Sequence, residues 1–317
     1  MAEARKVESL RDAYGQTLLE IGTNDSTVVV FDADLSGSTR TILFGKKFPD
    51  RFFNVGVMEA TMMTMAAGVA LGGRTVFAST FAVFASGQAY NAVRQSVCYN
   101  NANVKIVATH GGLLVGPDGG THQMLEDIGL MRGLPRMTVV VPADAPTTRA
   151  AVEAVAATQG PAYVRLTREN LPTVTDGAFR LGHAAELRAG TDLTIVAVGA
   201  LVARALDVAE ELAKVGVSTR VLDFASVKPF DAPALLRAAR DTGAILVLEE
   251  HSVLTGVGAL VASTTSENYP VPVRRVGTTD VFGESGEGWA LLDAYGLSKE
   301  RILEEAWELL GLRGKVQ

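Results

Sequence analysis

A single cysteine, Cys98, stands among 317 residues, so neither a disulfide framework nor a cysteine-based metal site can form within the chain. No run reaches eighteen uninterrupted apolar residues, and the opening "MAEARKVESLRD" has no apolar signal core. The expectation is a cytoplasmic protein with no membrane association. Clusters of lysine and arginine are missing too; with a net charge of −6, that excludes a general nucleic-acid surface. Internal repeats and low-complexity tracts do not occur. What remains is 48% hydrophobic and 20% charged, rich in glycine and alanine, which suits an α/β protein with a large core and length enough for two domains.

Short β-branched runs alternate with helical stretches throughout, the pattern of parallel sheets joined by crossover helices. In the first half strands are expected at 27–32, 52–55, 75–80, 104–109, 137–142 and 162–166, and helices at 7–22, 59–71, 83–99 and 146–157. The stretch "NLPTVTDGAFRLGHAAEL" (170–187) lacks sustained periodicity and reads as an interdomain connection. Beyond it, strands are expected at 193–199, 219–224, 244–250 and 273–278, with helices at 201–215, 231–240, 256–267 and 298–310. The resulting division is a first domain over 1–172, a linker over 173–187 and a second domain over 188–317, each a mainly parallel sheet flanked by helices.

Residues of chemical interest collect at strand ends. Asp32 and Asp34 follow the first strand, Glu59 the second, Phe81 the third, His110 the fourth and Arg168 the sixth. In an open parallel sheet ligands sit beyond the carboxyl ends of the strands, so these side chains are expected along one edge. Polar residues gathering in loops for no special reason is the competing account.

Two stretches sharpen the expectation. "FFNVGVMEATMMTMAAGVALGG" (52–73) carries one ionisable side chain, Glu59, and a lone buried acid is costly unless something uses it; a helix-start glutamate favoured by the macrodipole is the plain alternative. The Gly-rich segment "ATHGGLLVGPDGGTHQMLEDIGLMRGLP" (108–135) places His110 and His122 twelve residues apart with Asp118 between. That spacing fits no common zinc pattern. Glycines let backbone approach a ligand, and the histidines with Asp118 suit a polyhydroxylated or anionic substrate, although ordinary turn chemistry also produces such loops.

The motifs "FFNVGVMEA", "STFAVF", "ATHGGLLVGPDGGTHQ", "VVVPAD" and "RLTRENLP", in this order, resemble the pyrimidine-binding domain of transketolases. The remainder, with "VLEEHSVLTGVGALVA" and "VFGESGEGWALLDAYGLSKERIL", resembles the transketolase C-terminal domain. A full-length transketolase also carries a domain that grips the thiamine diphosphate pyrophosphate through a Gly-Asp-Gly metal motif, and no "GDG" occurs here. The resemblance therefore implies the C-terminal subunit of a split transketolase. It implies thiamine diphosphate bound at its aminopyrimidine end by this chain, Mg2+ or Ca2+ on an N-terminal partner subunit, and self-association into a dimer within an α2β2 assembly. The implied reaction transfers a two-carbon ketol unit from a ketose phosphate to an aldose phosphate, in the pentose phosphate route or a specialised one.

Residue by residue, the resemblance makes Glu59 the acid that shares a proton with the aminopyrimidine N1′, since a carboxyl in an apolar pocket can do so near neutral pH. Phe81 and Phe84 match the aromatics around that ring. A further aromatic is replaced by Gly87, leaving Tyr90 to complete the pocket. Asp34 matches an acid near the cofactor, and His122 a histidine close to the reacting carbon. The proline usual before that histidine loop's threonine is Gly120, which implies added mobility. Arg5 in "EARK", Ser38, His110 and Arg168 match the substrate-phosphate cluster, and Asp118 the residue that reads a donor hydroxyl. Alternatives are a 1-deoxyxylulose-5-phosphate-synthase-like enzyme, a 2-oxo acid dehydrogenase beta subunit, or a non-catalytic binding protein on the same fold. In the second domain "EEHS" (249–252) has the look of a triad fragment, but no Gly-x-Ser-x-Gly elbow accompanies it.

Overall fold

The computed structural model describes residues 5–311. The first half supplies strands β1 (Val28–Asp32), β2 (Phe52–Asn54), β3 (Thr75–Phe81), β4 (Val104–Thr109), β5 (Thr138–Val140) and β6 (Ala162–Arg165). The second half supplies β7 (Ala185–Arg188), β8 (Leu193–Ala197), β9 (Thr219–Asp223), β10 (Ser226–Lys228), β11 (Ile245–Ser252) and β12 (Val273–Thr278). One sheet has the order β10-β5-β6-β4-β3-β1-β2 and the other β12-β11-β8-β9-β7. Within these two sheets all pairings are parallel except at β10 and β7, which lie antiparallel on one edge of each. Every residue of β1, β4 and β8 is buried, as expected of strands covered on both faces by crossover helices. The expected α/β architecture, two mainly parallel sheets flanked by helices, is present.

The longer helices are α1 (Leu10–Asn24), α2 (Glu59–Leu71), α3 (Ala145–Ala157), α4 (Leu201–Lys214), α5 (Ala232–Thr242), α6 (Val257–Asn268) and α7 (Lys299–Leu309). Sequence explains α5 well. Asp231 caps it by accepting from Ala234 N, Pro233 sits in its first turn, and Gly243 ends it in the left-handed region at φ 70°. Its buried residues, Leu235, Ala238, Ala239 and Thr242, recur at helical spacing and so form one stripe toward the sheet. Helix α2 differs. It has no side-chain cap, and beyond its buried Met62, Met63, Ala66 and Ala67 it leaves Met65 and Leu71 in the open.

Three local features depart from expectation. The run expected as one helix over 83–99 contains two wide turns, with Ala89 N donating to Phe84 O at 2.9 Å and Tyr99 N to Arg94 O at 3.0 Å, the five-residue spacing that often marks functional sites. Within the stretch expected as a connection, Leu171–Pro172 pairs antiparallel with Val7–Glu8, and Ala185–Arg188 already belongs to the second sheet. Finally, β10 leaves its own half to pair with β5, Ser226 opposite Val140, so the second half finishes the first half's sheet.

Candidate active site

The carboxyl edge of the first sheet begins at Asp32, the last residue of β1. It is fully buried, and its oxygens accept from Leu35 N (2.6 Å), Thr39 Oγ1 (2.7 Å) and Thr41 Oγ1 (2.8 Å). Burial pushes its pKa up while those hydroxyls pull it down. The result is a rigid turn that presents Asp34 and Ser38. Asp34 is held at φ 66°, its N–H donating to Asn54 Oδ1 at 3.0 Å and its carboxylate accepting from Asn54 Nδ2 at 2.9 Å. One strand further out, Glu59 opens α2. Only 6% of it is exposed, and among the described residues it has no hydrogen-bond partner. Val57, Met58 and Phe53 beside it are exposed apolar side chains. The Glu59 carboxyl oxygens keep some access to solvent, so the acid sits at a narrow opening of the sheet edge rather than in the closed core.

Four rings gather on the other side of β1. Phe81, the last residue of β3, stacks on His110 from the end of β4, with centroids 3.7 Å apart and planes 20° apart. Phe84 lies nearly parallel to Phe81 at 5.9 Å. His122 meets Phe84 edge-on at 5.5 Å and Phe81 at 6.3 Å. The two histidines, twelve apart in sequence, meet because the loop doubles back, Gly111 bridging to Met124. His110 takes φ 60°, and its Nδ1 lies 2.9 Å from Thr109 Oγ1. Burial, then the neighbouring Arg11 and Arg168 charges, depress its pKa to about 3. The imidazole is therefore neutral at physiological pH. Tyr90 makes no ring contact with this cluster among the described residues, and the space beside Gly87 is open.

Cationic groups rim the rings. Arg168 Nη1 donates to Val115 O at 2.6 Å and lies 3.4 Å from Asp118 Oδ1. Arg11, in the first turn of α1, donates from Nη1 to Ser38 O at 3.3 Å, and its buried Nε has no partner among the described residues. Burial, then Arg40 with Arg168 nearby, lowers the Arg11 pKa. Asp12 and Glu169 oppose that shift, and the buried N–H left unpaired suits an anion.

Arg5 makes its own contacts in this structure. Its guanidinium is tied to Asp207 (2.7 Å) and Glu210 (3.7 Å) on α4 of the second half, while Arg11 is the group that acts on His110 together with Arg168. Ser9 caps the helix that follows, its hydroxyl accepting from Asp12 N at 3.1 Å. This Ser-x-x-Asp cap starts the helix after Arg5 and leaves Arg11 in its first turn. Gly120, where added mobility is expected, packs closely against the second half. A Cβ there would lie 2.5 Å from Gly283 O, so glycine permits close backbone contact with the second half.

Comparison with known proteins places these groups in context. The family model described as "Transketolase, pyrimidine binding domain" matches residues 7–174, and "Transketolase, C-terminal domain" matches 182–302. A 6-deoxy-6-sulfo-D-fructose transketolase subunit from Clostridium sp. is 42% identical over 95% of this chain and 94% of its own length. An apulose-4-phosphate transketolase subunit from Phocaeicola vulgatus is 38% identical over 97% and 99%. A solved structure described as a split gene transketolase, inactive beta4 tetramer, superimposes with a TM-score of 0.90 at 48% identity, covering 96% of this chain and 99% of that one. Two matched domains and near-complete coverage of subunit-length relatives leave one assignment: this chain belongs to the transketolase family, as a subunit-sized member carrying the pyrimidine-binding and C-terminal domains.

Proposed function

We propose that this chain is the C-terminal subunit of a split, thiamine diphosphate-dependent transketolase. With an N-terminal, diphosphate-binding subunit it transfers a two-carbon ketol unit from a ketose phosphate to an aldose phosphate. The observation that carries this reading is Glu59, an acid only 6% exposed at the head of α2, with no protein partner among the described residues. The donor set fits the aminopyrimidine end of the cofactor: a sheltered acid, the Phe81 and Phe84 faces, and Asp34 on the outer turn. Mg2+ or Ca2+ is expected on the partner subunit, with the diphosphate. When bound, the cofactor supplies a nucleophilic carbon that can carry the two-carbon unit.

The chain's own groups then have distinct tasks. Glu59 holds and exchanges a proton at the aminopyrimidine N1′, a transfer that geometry in a dry site favours. Phe81 and Phe84 exclude water and fix the ring plane. His122 hydrogen-bonds the oxygen on the sugar's reacting carbon. Neutral His110 donates or accepts without adding charge, and Asp118 reads a donor hydroxyl. Arg5, Ser38 and Arg168, together with Arg11, bind the anionic end, with guanidiniums giving charge-assisted bonds. A relative named for a sulfonated ketose and another for a ketose phosphate support an anionic, polyhydroxylated donor.

The exposed Phe53, Val57, Met58 and Met65 beside Glu59 form an apolar surface for a second polypeptide to cover. The inactive beta4 tetramer described for the split-gene relative supports the need for an N-terminal partner in an α2β2 assembly. The test is reconstitution. This chain, an N-terminal subunit, thiamine diphosphate and Mg2+ should convert xylulose 5-phosphate with ribose 5-phosphate, and neither subunit alone should. Turnover of pyruvate with no ketose, or full activity of this chain alone, overturns the reading.

A further inference from the structure

The "EEHS" tract at the end of β11 divides into three separate jobs. Glu249 accepts from Val257 N (2.6 Å) and Gly258 N (2.9 Å), capping α6. His251 has Nδ1 2.9 Å from Ser252 O, and its Nε2 receives Gly129 N at 3.4 Å. Glu250 does something else. Its carboxyl crosses to the first half and accepts from Leu114 N at 2.6 Å, a partner 136 residues away.

We propose that Glu250 is a positioning residue, through which the second domain sets the loop that carries Asp118 and anchors Arg168. This rests on the transketolase reading of that loop. Leu114 N binds Glu250, and the next residue's carbonyl, Val115 O, accepts from Arg168 Nη1 at 2.6 Å. Arg168 in turn lies 3.4 Å from Asp118 Oδ1. A single residue step therefore separates the Glu250 anchor from the carbonyl that aims Arg168. Displacement of Leu114 passes directly to the guanidinium and its acid.

The seat of Glu250 is built for this contact. Gly112, at φ 85°, lies so close that a Cβ would fall 2.3 Å from the Glu250 carboxyl, so the loop approaches as only glycine allows. From the first half, Arg165 Nη2 donates to Glu250 O at 3.0 Å and Arg165 Nε to Asp127 Oδ2 at 2.9 Å. Tyr163 Oη donates to the same Asp127 oxygen at 2.7 Å. The strand bearing Glu250 is thus fixed to β6 before its carboxyl reaches the loop. A buried acid is an expensive core filler, and the hydrogen bonds of Glu249 and His251 go elsewhere, to α6, Ser252 and Gly129. Burial raises the Glu250 pKa to about 7, with Arg165 and the Leu114 N–H pulling it back.

Two measurements test this. In the full chain, hydrogen exchange of peptides covering 112–118 should quicken about tenfold in Glu250→Ala and less in Glu250→Gln, which keeps an acceptor oxygen. Helix α6 should be unchanged, and Glu249→Gln should do the reverse. In the reconstituted complex, Glu250→Gln should raise the KM for the ketose phosphate about tenfold with kcat within about threefold, and Glu249→Gln should leave that KM alone. Unchanged 112–118 exchange in both Glu250 variants overturns the proposal, as does a normal donor KM in an active Glu250→Gln complex. If the unmodified complex fails to turn over ketoses, the functional reading falls, yet the exchange experiment still decides whether Glu250 holds the loop. Should Glu250→Ala not fold, the isosteric Glu250→Gln decides alone.

Discussion

The two halves of the molecule repeat one arrangement with opposite outcomes. Each is a parallel sheet with acids and a histidine at its carboxyl edge: Asp32, Asp34, Glu59 and His110 in the first, Asp223, Glu249, Glu250 and His251 in the second. In the second half Glu249, Glu250 and His251 are buried and bound to backbone groups of the chain itself. In the first, Glu59 and the Arg11 Nε are sheltered and, among the described residues, left without a protein partner. Residue type and topological place are therefore poor guides to chemistry by themselves. The contrast is between groups bound within the chain and groups left open at the carboxyl edge. Asp223, whose Oδ1 is buried without a partner among the described residues, shows that an unpaired atom alone does not mark a site.

The largest effect expected from this contrast is at Glu59. In a reconstituted complex Glu59→Gln should lower kcat by about 10² to 10⁴ while leaving the melting temperature within about 2 °C, because no internal bond is lost. Glu249→Gln should do the opposite: the α6 cap weakens at about 1–2 kcal/mol, read by denaturant unfolding, with kcat nearly unchanged. A stability loss at Glu59 equal to that at Glu249 would erase the distinction drawn here.

Next comes the pair of arginines. Arg5→Ala and Arg11→Ala should each raise the KM for phosphorylated substrates by about 10- to 100-fold in the same steady-state assay. A KM unchanged in either variant removes that arginine from the site.

The smallest effect is on the pH dependence of folding. Burial raises Asp223 to about 8, and Glu249 and Glu250 to about 7. Each is above its unfolded value, so the folded state holds extra protons, and that stability is lost as pH climbs toward 7–8. His110 and His251 are depressed to about 3 and 4, so the unfolded state takes protons first and stability is lost as pH falls below their ordinary 6.5. The two sets oppose each other between pH 4.5 and 6.5 and only the acids act above it. Three acids outweigh two histidines over that range, so calorimetry should find the melting temperature falling from about pH 5 toward about 8. Asp223→Asn should flatten that decline, since Asp223 Oδ1 has no hydrogen-bond partner among the described residues and the side chain faces the like charge of Asp144.

Most of the framework was legible in the sequence because β-branched runs such as "TVVVFD" and "VKIVAT" form fully buried parallel strands, and burial on both faces leaves a continuous apolar run. The strand-end rule likewise located Asp32, Phe81, His110 and Arg168 along one edge. The edge strands Ala185–Arg188 and Ser226–Lys228 were not legible. They are short, carry charge, and exist because another strand supplies their hydrogen bonds. Glu250 was hidden for a similar reason: its partner is a backbone N–H, which leaves no mark on the sequence around it.

The antiparallel strand Ser226–Lys228 has a consequence for how such a molecule can be divided or recombined. Severing the polypeptide near residue 180 and keeping the leading piece would strip Val139 and Val140 of their neighbour and lay bare a sticky ribbon margin. A hybrid that exchanges only the trailing portion must import a matching "SVK" staple with it.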